Sequence, residues 1–202
     1  MRTMVAALSA ALMITLVACS KSSPTAPNYG SGGSGSSGNG YNTSAAPDWT
    51  KWGFPTVVAS TNVTPGTADS IASGPYLVQI PADAFNVPVM FQLLAGDTST
   101  FTAKAPSGDV PVLAFAFRVI DTKNDSLLGL FANPVTVTAT DPQITSGSWY
   151  YDVTTSGSYI QNTNGETITS GQVVHPARSA NYGWVITAPG GSGGTGGGGY
   201  GY

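Results

Sequence analysis

Residues able to carry chemistry are few in this chain of 202. It has one histidine, His175, so no multi-histidine metal site exists, and one cysteine, Cys19, so neither an intramolecular disulfide nor a thiolate cluster can form. A Ser/His/Asp triad needs only one histidine, but no serine stands in a Gly-x-Ser-x-Gly elbow between a strand and a helix. Carboxylates pair as Asp121 with Asp125 and Asp141 with Asp152, yet spacing in turns does not set the separation that glycosidase chemistry requires. Asp121, Asn124 and Asp125 offer hard oxygen donors without the full donor series of a calcium loop. The expectation is a non-catalytic protein with no metal site and no cofactor.

What remains is aromatic. Trp149, Tyr150, Tyr151, Tyr159, Tyr182 and Trp184 fall in the last third of the chain, three of them consecutive. Strand alternation sends at least one of three consecutive rings away from any core. An exposed ring among Gly, Ser and Asn is the kind of feature that grips a sugar or another protein, so these six residues form the expected binding surface. Trp49, Trp52 and Phe54 make a second group, either a stacking platform for a saccharide or anchors that pin the first strand to the core.

The elements that must position these rings read as strands. Thr56 to Ala59 opens the series. In Pro75 to Phe85, Tyr76, Val78 and Ile80 share one face against Leu77 and Gln79. Val89 to Leu94 follows, then Phe101 to Ala105 as a brief edge piece. Val112 to Ile120 is the longest, with Leu113, Phe115, Phe117 and Val119 on a bulky face and Ala114, Ala116 and Arg118 on a small one. After the polar Asp121 to Asp125 turn, Val135, Val137 and Ala139 alternate with threonines beyond Pro134. Trp149 to Val153, Ser158 to Gln161, Glu166 to Ile168, Gln172 to His175 and Tyr182 to Thr187 complete the set. Eight to ten short strands, frequent turn signals and no 3.6-residue period predict an all-β fold. The expected architecture is a single β-sandwich of immunoglobulin-like or related Greek-key topology over residues 49–189, flanked by disordered Gly/Ser-rich ends.

Those ends are Ser20 to Asp48, rich in Gly and Ser with three prolines, and the Gly/Tyr run of residues 190–202. Neither holds enough apolar surface to repay the ordering of its backbone. The first reads as a tether whose root-mean-square span is on the order of 30 Å. Ten acidic and seven basic residues give a net charge of −3. With no Lys/Arg cluster, there is no footprint for nucleic acid.

The chain starts with Arg2 and an apolar run from Met4 to Ala18, too short for a comfortable membrane span and laid out as a signal peptide over residues 1–18. It ends Leu16-Val17-Ala18-Cys19, which resembles the lipobox of bacterial lipoproteins. The resemblance implies cleavage after Ala18 and a diacylglyceryl group on the Cys19 thiol, so that membrane lipid is the first partner. Two or three acyl chains anchor lastingly where one holds only marginally, at about 0.8 kcal/mol per buried methylene. The implied location is the bacterial cell envelope, facing the periplasm or the cell surface. Ser20 directly after the cysteine implies the outer membrane if the organism has one.

Two further pieces, Ile80-Pro81-Ala82-Asp83-Ala84-Phe85 and Phe131-Ala132-Asn133-Pro134-Val135-Thr136-Val137, make the block from Gly74 to Thr140 similar to ZU5-like β-sandwich modules. Such modules commonly carry glycine where this chain has Ala82-Asp83, and the half from Trp149 to Trp184 has no counterpart in them. The likeness implies an interaction module and names no site residue. The expected role is structural or binding, with a glycan or an envelope protein as contact. The alternatives are a carbohydrate-active protein and a subunit of an extracellular assembly.

Overall fold

The computed structural model describes residues 46–190 except 104, 107 and 164. Among these residues eleven strands form: β1 (Thr56–Val63), β2 (Asp69–Ser73), β3 (Tyr76–Ile80), β4 (Val89–Ala95), β5 (Asp109–Asp121), β6 (Leu130–Thr140), β7 (Trp149–Val153), β8 (Tyr159–Gln161), β9 (Thr167–Thr169), β10 (Gln172–Ser179) and β11 (Gly183–Pro189). They build a six-stranded sheet, ordered β1-β4-β5-β11-β7-β8, and a five-stranded sheet, ordered β2-β3-β6-β10-β9. All pairings are antiparallel, and the two sheets pack as the expected β-sandwich. In chain order the strands leave one sheet for the other six times, so most of the core is assembled from partners distant in sequence.

Alternation decides which side chains meet between the sheets. Tyr76, Val78 and Ile80 of β3 point inward while Leu77 and Gln79 face out. Leu113, Phe115, Phe117 and Val119 of β5 meet them from the opposite sheet. Six-carbon rings dominate this interior: Phe91 lies 4.9 Å from Phe117, and Phe115 stacks on Trp184 at 5.3 Å. Contacts of this kind add about 0.5–1.5 kcal/mol each beyond the area they bury.

The small face of β5 is dry as well at its two alanines. Ala114 and Ala116 lie under a second cluster made by Trp49, Phe54, Leu94, Phe101, Val153 and Val185. A 3-10 turn at Trp49–Lys51, capped by Asp48, brings the N-terminal segment across this outer face. There the Trp49 indole N–H donates to the Ala180 carbonyl at 2.7 Å, and Asp48 lies 3.9 Å from the Arg118 guanidinium. Phe54 occupies the space where a side chain at residue 183 would stand, which is why the first residue of β11 is glycine.

Several expectations need correction. Phe101 to Ala105 is not an edge strand: Thr98–Thr102 is a short helix, α1, because the Asp97 carboxylate accepts the Ser99 N–H at 2.9 Å and starts a turn. Burial of Phe101 in the second cluster holds that turn in place. β2 was not anticipated, since Ile71 is its one buried apolar residue; it forms by pairing with β3 across a turn in which Gly74 takes φ +53°. β6 runs straight through Pro134, and β10 continues past His175 through Pro176 to Ser179. Both prolines lie where the ladder has room for a residue without an N–H. β3 pairs with β6 only from Thr136 onward, and β9 covers β10 only as far as Val174.

The two pieces that carried the ZU5-like resemblance touch each other. Ala132 N–H donates to the Ala84 carbonyl at 2.9 Å, Asn133 Nδ2 donates to the Asp83 carbonyl at 3.3 Å, and the Phe85 and Phe131 rings are 5.2 Å apart. The polar turn after β5 is closed by its own acids. Asp121 Oδ1 accepts from Lys123 N–H, Asn124 Oδ1 accepts from Ser126 N–H, and Asp125 takes φ 58°. Asp141 does the same for Gln143 N–H at 2.8 Å. These side chains act as turn closures.

Candidate functional site

β7 divides the expected aromatic surface in two. Its alternation sends Trp149, Tyr151 and Val153 to the outer face of the six-stranded sheet and Tyr150 and Asp152 to the inner one. Tyr150 and Trp184 are therefore core residues, not surface: both are almost fully buried, Tyr150 against His175 at 4.7 Å and Trp184 against Phe115 and Phe117. Tyr182 is half-buried against the same core. The correction follows from register, because Trp184 pairs with Asp152 and Ile186 with Tyr150, which places all four on the side facing the second sheet.

On the outer face, Trp149 presents 44% of its surface to solvent. Next to it Tyr151 is buried and meets Tyr159 edge-on at 5.7 Å. The Tyr151 hydroxyl donates to Asp109 Oδ2 at 3.5 Å and the Thr187 hydroxyl to the same oxygen at 3.1 Å. The Tyr159 hydroxyl donates to the Phe101 carbonyl at 3.0 Å, tying β8 to α1. Burial pushes both phenols up, and for Tyr151 the neighbouring Asp109 charge adds to it. Trp149 is thus an exposed indole on a strand whose neighbouring rings are held in place.

A cleft of about 270 Å³ opens at the Val153 end of this face, on the order of 13 Å along β7 from Trp149. It is lined by the buried Phe101 and Val153, by Lys51, Trp52 and Gly53 ahead of β1, by Thr100 of α1, and by the β7–β8 turn from Thr154 to Gly157. Trp52 is 46% exposed while Trp49 and Phe54 on either side of it are fully buried. In the second aromatic group of the sequence, Trp49 and Phe54 are therefore anchors to the core, while Trp52 is left exposed. The Thr154–Gly157 turn carries no sequence signal beyond its ordinary Ser/Thr/Gly composition, and only its sharing a cleft with Trp52 gives it interest.

A polar group lies inside the sandwich near β8 and β9. Asp152 accepts from Asn162 Nδ2 at 2.9 Å, and burial raises its carboxyl above the usual range against the opposing effect of hydrogen bonds from Asn162 and Trp184. Burial likewise raises Glu166 and lowers His175 to about 4. Tyr150 is raised chiefly by burial, with Asp152 and Glu166 adding to it. Tyr150 Oη, His175 Nδ1 and Glu166 Oε2 are buried without a hydrogen-bond partner among the described residues. His175 therefore sits as a neutral ring in tilted contact with Tyr150 and Trp184.

No group of three His, Cys, Asp or Glu residues among those described is arranged to hold a metal ion. Cys19, the expected lipidation site, lies outside the described residues. No protein-family model matches the chain, and no curated protein matches it.

Proposed function

We propose that this chain is a lipid-anchored protein of the bacterial cell envelope whose β-sandwich is a non-catalytic binding module. Leu16-Val17-Ala18-Cys19 supports the anchor, with Cys19 as its lipid-bearing residue and Ser20 favouring the outer membrane where there is one. The Gly/Ser-rich stretch to Asp48 spaces the sandwich from the bilayer, facing periplasm or cell surface. The observation that carries the binding role is Trp149, an indole left 44% exposed beside the locked Tyr151–Tyr159 pair. Large exposed rings on a rigid support are the usual anchors of recognition surfaces. An envelope protein or glycan is the contact class.

Labelling cells with a fatty-acid analogue tests the anchor. The full chain is expected to incorporate label and to fractionate with membranes, and Cys19→Ala to do neither; label that persists in Cys19→Ala removes the anchor from the reading. For the surface, Trp149→Ala is expected to lower retention of envelope components by the full chain with its melting temperature unchanged. Unchanged retention would end the role given to Trp149.

A second reading, assembly by strand addition, is favoured by β1. This eight-residue edge strand pairs only with β4 and carries neither a charge nor a proline. The bulge between Val57 and Ala59 interrupts that edge, which leaves the binding module as the better supported reading.

A further inference from the structure

We propose that the Trp52 cleft is a saccharide site that takes one pyranose ring. It is separate from the Trp149 surface and independent of the anchor. Three observations lead there. The first is the distribution of chemistry. The lining combines the buried apolar Phe101 and Val153, the exposed indole of Trp52, and the hydroxyl-bearing Thr154, Thr155 and Ser156. A pyranose has the matching division, with C–H faces that lie against apolar and aromatic surface and a rim of hydroxyls that both donate and accept. Small-molecule sites combine largely apolar walls with a few placed polar groups in this manner.

The second is charge. Lys51 is the one charged residue of the lining among the described residues, and its ammonium lies 3.9 Å from the Asp48 carboxylate. A neutral ligand matches this lining, whose one described charge already faces a carboxylate. At about 270 Å³ the cleft is smaller than the roughly 300–1,000 Å³ of drug-sized sites, which limits it to a single ring with its chain continuing outside.

The third is rigidity. Gly53 takes φ +96°, a backbone turn that leaves Trp52 outward between the buried Trp49 and Phe54. A side chain at residue 53 would press on the Phe101 ring. The hydroxyl-bearing turn is organised by its own hydrogen bonds, Thr154 Oγ1 with Ser156 Oγ at 2.7 Å and Ser156 Oγ with Ser158 Oγ at 3.0 Å. Gly157 closes the turn at φ +75° and donates its N–H to the Thr154 carbonyl at 2.8 Å. The Tyr159 hydroxyl fixes α1 against β8. A site held open in this way orders little on binding, which favours a small ligand of low intrinsic affinity.

The test is calorimetric titration of the full chain with methyl glucoside, methyl galactoside and N-acetylglucosamine. Saturable millimolar binding of at least one is expected. Trp52→Ala should weaken it about tenfold or more, Trp52→Tyr should restore most of it, and Ser156→Ala should weaken it by a smaller factor. Trp149→Ala should leave it unchanged, which separates this site from the surface proposed above. Because Trp52 is half exposed, melting temperatures should stay level throughout, and the tyrosine variant keeps the test valid if the alanine one is unstable. Absence of binding for all three sugars overturns the proposal, as does binding indifferent to Trp52→Ala or lost on Trp149→Ala.

Discussion

His175 shows how a single position can be rare in sequence and ordinary in place. As the only histidine it invited a catalytic role, and the fold instead uses its ring as an aromatic slab in contact with Tyr150 and Trp184. Burial lowers its folded value to about 4 from the ordinary 6.5, so the unfolded chain takes up the proton first as pH falls. The stability contributed by the neutral ring is complete above about pH 6.5, is lost progressively toward pH 4, and changes no further below that. The shift corresponds to about 3 kcal/mol. Asp152 and Glu166, the nearby carboxyls, are raised and so act with the opposite sign, gaining stability on acidification. Comparing denaturant unfolding of the wild type and His175→Gln at pH 7 and pH 4.5 isolates the histidine. The gap between the two proteins should narrow or reverse at the lower pH, and parallel profiles would refute the assignment.

Among the elements, the segment of residues 46–55 does more than lead into β1. It covers the small face of β5, where Trp49 and Phe54 pack in one cluster with Ala114, Ala116, Val153 and Val185. Trp49 is its main fastening, fully buried with its N–H on the Ala180 carbonyl. Trp49→Ala should cost about 3–5 kcal/mol through lost burial and the void left behind, measured by urea unfolding. The same substitution should loosen Trp52 in the cleft lining, since the Trp52 N–H bonds to the Trp49 carbonyl at 2.9 Å. A loss under about 1 kcal/mol would mean that the segment rests on the sheet without supporting it. The strands themselves were largely legible. β3, β5 and β6 announce themselves by period-2 alternation of apolar residues, whereas β2 has one buried residue and α1 is a Ser/Thr segment that reads equally well as extended.

At the scale of the molecule, the repeated change of sheet sets how the domain folds. β5 must find β11, and β6 must find β10, before either sheet has a centre. Such non-local pairing is slow because loop closure precedes its reward. Refolding of the chain followed by tryptophan fluorescence should accordingly take milliseconds to seconds, and completion within microseconds would contradict this ordering of events.

The chain by itself determined that the fold is all-β, that Tyr76, Val78, Ile80, Leu113, Phe115, Phe117 and Val119 make its core, and that some of its rings must face outward. Those are local properties: a period of two and the size of a side chain are visible one residue after another. Which rings face outward was decided by tertiary structure alone. Trp149 and Trp184 look alike in sequence, yet one lies on the outer face and the other stacks on Phe115, because pairing register and the choice of sheet depend on partners tens of residues away. The cleft has the same origin, since Trp52 and the Thr154–Gly157 turn acquire a common meaning only where the sandwich brings them into one lining.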